Sequence, residues 1–193
     1  MRKLLIHTCC APCFSYIENE LKEKGLKIAD DQFEKVDFTA FWYNPNIHPK
    51  VEYERRKNTF IKFCEEHNCK NVLIDEYSLD EYVKYVVENV GENKKYNSRC
   101  KYCYYLRLEE AFKYASENGF DVITTTLTIS PYQNHEFIKE VGSELAKKYN
   151  VEFKYVDYRN NYREGQKMAR ENELYMQKYC GCIFSIDNGK WVY

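Results

Sequence analysis

The sequence contains no long hydrophobic run. The first apolar stretch, inside MRKLLIHTCCAPC, is only Leu4 to Ile6. That is too short for the apolar centre of a signal peptide or for a membrane span. No later stretch qualifies either, so a cytoplasmic protein is expected, with no membrane among its partners. Net charge is nearly absent as well: 29 Lys and Arg stand against 30 Asp and Glu, leaving −1. No global field draws in a polyanion, and any nucleic-acid site has to be a local patch. Repeats, low-complexity tracts and linkers are also missing. The 193 residues are therefore expected to form a single domain, 1–193, with one sizeable core.

Thiols and aromatic rings are plentiful. Aromatics make up 17%, with 19 Tyr and 11 Phe. A ring-rich core explains that total, and a base-stacking surface cannot be read from it. The chain has nine cysteines. A reducing compartment keeps thiols free, so metal binding or catalysis is a better use for them than disulfides. Seven fall into three groups: Cys9-Cys10-x-x-Cys13, Cys100-x-x-Cys103 and Cys180-x-Cys182.

Strand-like and helical patterns alternate. KLLIHT, VDFTAFWYN, NVLIDEY, DVITTTL and VEFKYVDY predict five strands. Helices are predicted in PCFSYIENELKEKG, ending at Gly25, and in PKVEYERRKNTFIKFCEEHN, where Tyr53, Phe60 and Phe63 fall near one face. The SLDE box (Ser78 to Glu81) opens a third helix. GENKKYNSR reads as a loop, followed by a helix from Cys100 that stops at Gly119. SPYQ joins Ser130 as N-cap, Pro131 at N1 and Gln133 at N3, which predicts a helix from there to about Tyr149. A polar helix follows at 163–172. This order implies an α/β fold in three layers with a mainly parallel five-stranded sheet. Ligands in such folds bind beyond the carboxyl ends of the strands. That puts TCCAPC, YNPNI, TLTISPYQ and DYRNNYREG on one rim.

Close cysteine pairs let two sulfurs point at one ion. Structural zinc needs four ligands, but the two pairs with C-x-x-C spacing are far apart in the chain. An iron–sulfur cluster also needs four thiolates, and seven would leave three for a second metal or for catalysis. Gly181 in Cys-Gly-Cys allows backbone conformations that turn both sulfurs to one side. Cys64 lies inside a helical run beside Phe60 and Phe63, and Cys69 at the following turn. Both read as structural.

With the residues between them, these groups resemble one family. HTCCAPC, FWYNPNIHPKVEYERR, RCKYC, TTLTISPYQN and YCGCIFS look like the ordered motifs of QueH-type epoxyqueuosine reductases, across nearly the whole chain. The segment KGLKIADDQFEKVD looks longer than the family's and has no assigned role. The resemblance implies a nucleotide α-hydrolase-like fold and reduction of the epoxide of epoxyqueuosine, at the wobble position of tRNA, to queuosine. It implies a [4Fe-4S] cluster held by Cys9, Cys10, Cys100 and Cys103. It also implies a nearby second metal ion, iron, facing Cys13, Cys180 and Cys182. The metal site would thus be assembled from the N-terminal loop, the central pair and the C-terminal Cys-Gly-Cys. A carboxylate can stand in the family where Cys13 stands here.

Removing an epoxide oxygen takes two electrons and two protons, so an external low-potential electron donor is expected. A metal with an open position suits the weakening of the C–O bond. By location, His7, Tyr53 and Tyr132 are candidate proton donors, although His7 inside a strand also fits a hydrogen-bonded core histidine. Arg55, Arg56 and Lys57, then Lys94, Lys95, Arg99 and Lys101, then Arg159, Arg163 and Lys167 form three small basic clusters near the rim. Arg55, Arg56, Arg99 and the helix N-terminus expected at Ser130 are the candidate tRNA contacts. Each cluster alone also fits an ordinary solvated face. Two other readings are an ATP-dependent tRNA sulfur-insertion enzyme and a non-catalytic metal-binding protein. The first would carry a glycine-rich phosphate loop after the first strand, where TCCAPC has no Gly.

Overall fold

The structure is a computed structural model and describes residues 1–90, 96–187 and 190–191. In chain order its elements are β1 (Arg2–His7), α1 (Ala11–Glu23), β2 (Leu26–Ala29), β3 (Gln32–Glu34), β4 (Val36–Trp42), α2 (Lys50–Glu66), β5 (Asn71–Leu73), α3 (Leu79–Val90), α4 (Tyr96–Glu117), β6 (Val122–Thr125), α5 (His135–Tyr149), β7 (Glu152–Phe153), α6 (Tyr162–Glu171), β8 (Ile186–Asp187) and β9 (Lys190–Trp191). The main sheet runs β5-β4-β1-β6-β7 with every pair parallel. It is the expected five-stranded parallel sheet with helices on both sides.

Side-chain alternation on the central strands builds two cores. Leu4 and Ile6 of β1, with Ala40 and Trp42 of β4, face α1, α2 and α6 and pack with Phe14, Ile17, Phe60 and Phe63. Leu5 and Phe41 face the other way, onto Leu108, Phe112, Val141 and Leu145 of α4 and α5. Trp42 stacks on Phe60 at 5.3 Å, and Phe14 meets Phe63 edge-on at 5.6 Å. Burying each such side chain contributes about 1.5–3 kcal/mol. Because both faces are covered, β1 and β4 read as apolar runs rather than as alternating strands.

Several expectations change. KGLKIADDQFEKVD, left without a role, forms the antiparallel β2–β3 hairpin. It follows Gly25, whose φ is +107° and where a Cβ would meet the Glu34 carbonyl oxygen at 2.4 Å. The helix expected to open at Ser130 starts at His135. A 3-10 turn, Thr126–Ile129, leaves β6 first, and Ser130 closes that turn. Asn134 is the cap of α5, its side chain accepting from the Phe137 N–H at 3.1 Å. The α4 helix begins at Tyr96, so residues 96–99 of the expected loop are helical; Lys94 and Lys95 lie outside the described residues. The fifth strand shrinks to two residues. After Lys154, whose N–H reaches the Ile123 carbonyl, the chain turns away, and Tyr158 N–H bonds Thr128 O at 3.2 Å.

Strand order reverses between β1 and β6. Connections from β1 build outward to β4 and β5, then the chain returns to β6 and β7 on the other side. The carboxyl ends of β1 and β6 therefore mark the switch point, where α/β sheets open a crevice for ligands.

Candidate metal centre

Cys9 and Cys10 leave the end of β1 at that crevice. Thr126, just past β6, ties the two strand ends together. Its hydroxyl accepts from the Cys9 N–H at 3.0 Å and donates to Cys9 Sγ at 3.2 Å. Cys10 is the N-cap of α1, with extended backbone and no side-chain cap bond, and Pro12 follows in the first turn. The sulfurs of Cys9, Cys10 and Cys13 all lie within 4.8 Å of one another, so the N-terminal loop alone can hold a metal ion. The open N–H groups of α1 and its dipole favour negative charge there.

The second pair comes from α4. Cys100 and Cys103 are three residues apart and share one helix face. Cys180 and Cys182 arrive on a C-terminal loop that is held from several sides. Ile47 forms an isolated bridge with Cys182. The His48 N–H donates to Gly181 O at 2.7 Å. Gly181 has φ +100°, and a Cβ there would meet Arg56 and Ile47 at 3.0 Å. The glycine that separates the two thiols is therefore required by both conformation and space. Tyr82 from α3 reaches Cys182 Sγ at 3.3 Å, and Cys180 Sγ donates to Ser185 Oγ at 3.3 Å.

One cavity collects these pieces. Cys9, Cys13, Cys100, Cys103, Cys180 and Cys182 line it. Cys10 sits just behind, 3.6 Å from Cys9 Sγ and accepting from Gln177 Nε2 at 2.7 Å. All seven grouped cysteines thus converge from three stretches of the chain. Cys64 and Cys69 do not. Cys64 is packed in the core with Phe60 and Phe63, and Cys69 donates to buried Glu18 at 3.3 Å.

Electrostatics at the thiols follow burial. Desolvation pushes Cys10, Cys100 and Cys182 up to about 12 and raises Cys103. Cys9 goes the other way. Its thiolate is favoured by donation from Cys10 and Cys13, with smaller help from Arg107 and Thr126. Cys100 does not sit at a helix start that would favour its thiolate, because α4 begins a full turn earlier. A bound cation reverses these upward shifts, since a coordinating thiol loses its proton.

Of the candidate proton donors, His7 and Tyr53 are away from the cavity. His7 is fully buried, with Nδ1 2.9 Å from Thr125 Oγ1. Burial, then the charge of Arg107, lowers it to about 3 and keeps it neutral. Tyr53 packs against Trp42 and donates to Asp75 at 3.1 Å. Tyr132 lines the cavity at its mouth, half-exposed and edge-on to Tyr162 at 5.9 Å.

The basic residues also separate. Arg55 is exposed, stacked over Tyr175 at 4.7 Å. Arg99 lines the cavity over Phe184 at 5.1 Å. Arg56 is not a surface cation. It is 3% exposed, bonded to Glu52 at 2.7 Å and donating to the carbonyls of Tyr179 and Cys180 at 3.0 and 3.1 Å. Ser130 lines the cavity, but its hydroxyl accepts from Tyr132 N–H at 3.3 Å rather than capping a helix. The sequence reading missed Arg107, Tyr104, Gln177 and Tyr82. For Arg107 a signal existed, its position four residues after Cys103 on one helix face.

A sequence profile described as Epoxyqueuosine reductase QueH matches residues 4–188. The chain belongs to the QueH family. Among its relatives, the epoxyqueuosine reductase QueH of Dehalococcoides mccartyi is 33% identical, covering 95% of this chain and 92% of that protein. That of Acinetobacter baylyi is 36% identical, covering 98% and 83%. That of Thermotoga maritima is 34% identical, covering 96% and 91%. The fold is also similar to a solved structure, the U34-tRNA thiolase NcsA from Methanococcus maripaludis with its [4Fe-4S] cluster. The TM-score is 0.57 at 13% identity, over 95% of this chain and 61% of that one. This QueH chain thus spans less than two thirds of the thiolase, and the likeness carries the nucleotide α-hydrolase-like fold alone.

Proposed function

We propose that this protein reduces the epoxide of epoxyqueuosine in tRNA to the cyclopentene of queuosine, with an external low-potential donor supplying two electrons. The observation that carries this reading is the convergence of seven thiols on one cavity in a chain of the QueH family. We place it in the cytoplasm; among the described residues no helix is long and apolar enough to cross a membrane. The whole chain, 1–193, acts as one catalytic unit.

The donor set fits a [4Fe-4S] cluster plus a second metal ion, iron. Seven sulfurs exceed the four that a cluster needs. In our assignment Cys9, Cys10, Cys100 and Cys103 hold the cluster, and Cys13, Cys180 and Cys182 face the second metal. When bound, these groups supply single electrons and a Lewis acid with an open position for the epoxide oxygen. The protein's own residues shape the rest. Gln177 and Thr126 orient the sulfurs of Cys10 and Cys9 through hydrogen bonds. Tyr82 and Ser185 do so for Cys182 and Cys180. Tyr132 and Tyr162 form an aromatic wall at the mouth, where a base splayed from a tRNA loop would stack. Tyr132, the one original proton-donor candidate on the cavity, could deliver a proton there. Arg55 and Arg99 remain candidates for phosphate contacts.

One observation favours a second division of the thiols. The close approach of Cys9, Cys10 and Cys13 suits a single centre. Cys100, Cys103, Cys180 and Cys182 line the same cavity, which suits the other. Iron counting and turnover on Cys182→Ala decide. Our assignment expects the cluster spectrum to survive and epoxide reduction to stop. Loss of the whole cluster supports the second division. Near-normal turnover removes Cys182 from the site. The sulfur-insertion reading is displaced by family membership and by the glycine-free TCCAPC loop at the switch point.

A further inference from the structure

Two buried cations, Arg56 and Lys57, come with carboxylates. Arg56 has Glu52 at 2.7 Å, and Lys57 has Glu54 at 2.7 Å and Asp75 at 2.8 Å. Arg107 differs. It is 4% exposed and lines the cavity, yet among the described residues it has no carboxylate within ion-pair distance. One Nη donates to Asn44 Oδ1 at 2.7 Å. Its buried Nε has no hydrogen-bond partner.

A guanidinium keeps its proton even when buried. A buried charge without a counter-charge is costly, so such a group persists where something anionic is present in the working protein. The acidic groups that act on Arg107 most are sulfurs. Cys103 lies one helical turn earlier on α4, and Cys9 stands across the cavity at the end of β1. Asn44 fixes the guanidinium in place, since its Nδ2 donates to Thr8 O at 2.9 Å, next to Cys9.

We propose that Arg107 is the built-in counter-charge of the thiolate-held centre, a positioning residue that raises the centre's reduction potential. This rests on the proposed function for the presence of that centre. Four thiolates around a cluster core leave a net anion, and reduction adds one more negative charge. A fixed positive charge in a low-dielectric cavity stabilises the reduced form more than the oxidised one. Arg107 therefore makes electron uptake easier without contacting substrate.

The test is a potentiometric titration of anaerobically reconstituted protein, followed by electron paramagnetic resonance, with iron counted in the same samples. Arg107→Met removes the charge and keeps a long apolar stem; Arg107→Lys keeps the charge and loses the fork. The proposal expects a more negative potential in Arg107→Met and a potential near wild type in Arg107→Lys. A wild-type potential in Arg107→Met at full iron content overturns it. If Arg107→Met holds no iron, Arg107→Lys decides. Loading with a near-normal potential supports the counter-charge. A folded but empty Arg107→Lys protein shows that guanidinium shape matters, and overturns it. A wild-type protein that binds no iron sinks both this inference and the proposed function. A loaded wild type whose potential ignores the charge sinks this inference alone. A shifted potential in a protein inactive on epoxyqueuosine sinks only the function.

Discussion

Arg56 and Cys180 are joined directly. The Arg56 guanidinium donates to the Cys180 carbonyl at 3.1 Å while its Nε holds Glu52. One side chain thus anchors the loop that carries the last two thiols to helix α2.

This relationship separates two neighbouring arginines. Arg56→Ala leaves buried Glu52 without its cation. It is expected to lose about 3 kcal/mol, a fall of roughly 6–12 °C in the melting midpoint. Arg55→Ala changes an exposed stacked residue and is expected to stay within about 0.5 kcal/mol. Thermal unfolding of both apo variants checks this. An Arg56→Ala protein that melts like wild type but binds tRNA poorly would return Arg56 to the RNA surface.

A second prediction concerns RNA. Arg55→Ala and Arg99→Ala should each weaken tRNA binding and lower the slope of log affinity against log salt by about 1. Filter binding across a salt series measures it. An unchanged slope in both variants would assign these two residues to ordinary surface.

The thiols give the third. Cys100→Ala should abolish the iron–sulfur absorbance of anaerobically prepared protein, whereas Cys64→Ala and Cys69→Ala should keep it. The latter two sit in the core and beside Glu18, so their effect is on stability. A full cluster spectrum in Cys100→Ala would remove that residue from the ligand set.

The fourth tests the fold. Gly142 lies on α5 where a Cβ would come within 2.1 Å of the Phe153 ring. Helix propensity favours Ala over Gly by about 1 kcal/mol, but overpacking costs about 1–3 kcal/mol. Gly142→Ala should therefore be destabilised, and Phe153→Leu in the same chain should recover part of the loss. Chemical denaturation of the apo proteins reads both. A more stable Gly142→Ala protein would contradict the close packing of α5 on β7.

These cases show what the sequence displays and what it hides. The β1 and β4 runs were legible because both faces are buried and the residues between are apolar. The thiol groups were legible as groups, each within five residues. Ser130 satisfied every local rule for a helix start, yet it closes the 3-10 turn after β6 and opens a further turn, the Gln133 N–H bonding its carbonyl at 3.4 Å, so that Asn134 becomes the cap. Arg56 looked like a surface cation in EYERRK; its partners at 179 and 180 are more than a hundred residues away. Arg107 was legible only as a neighbour of Cys103 on one helix face, for the same reason. Its meaning depends on Asn44 and Cys9, which only the parallel sheet brings near.

The most direct test of the account is a single anaerobic turnover experiment. Reconstituted protein is incubated with epoxyqueuosine-containing tRNA and a low-potential reductant, and the tRNA is digested for nucleoside analysis. The account predicts that epoxyqueuosine disappears and queuosine rises in equal amount, in the wild type and not in Cys182→Ala. Unchanged epoxyqueuosine with wild-type protein that carries its full complement of iron would contradict it.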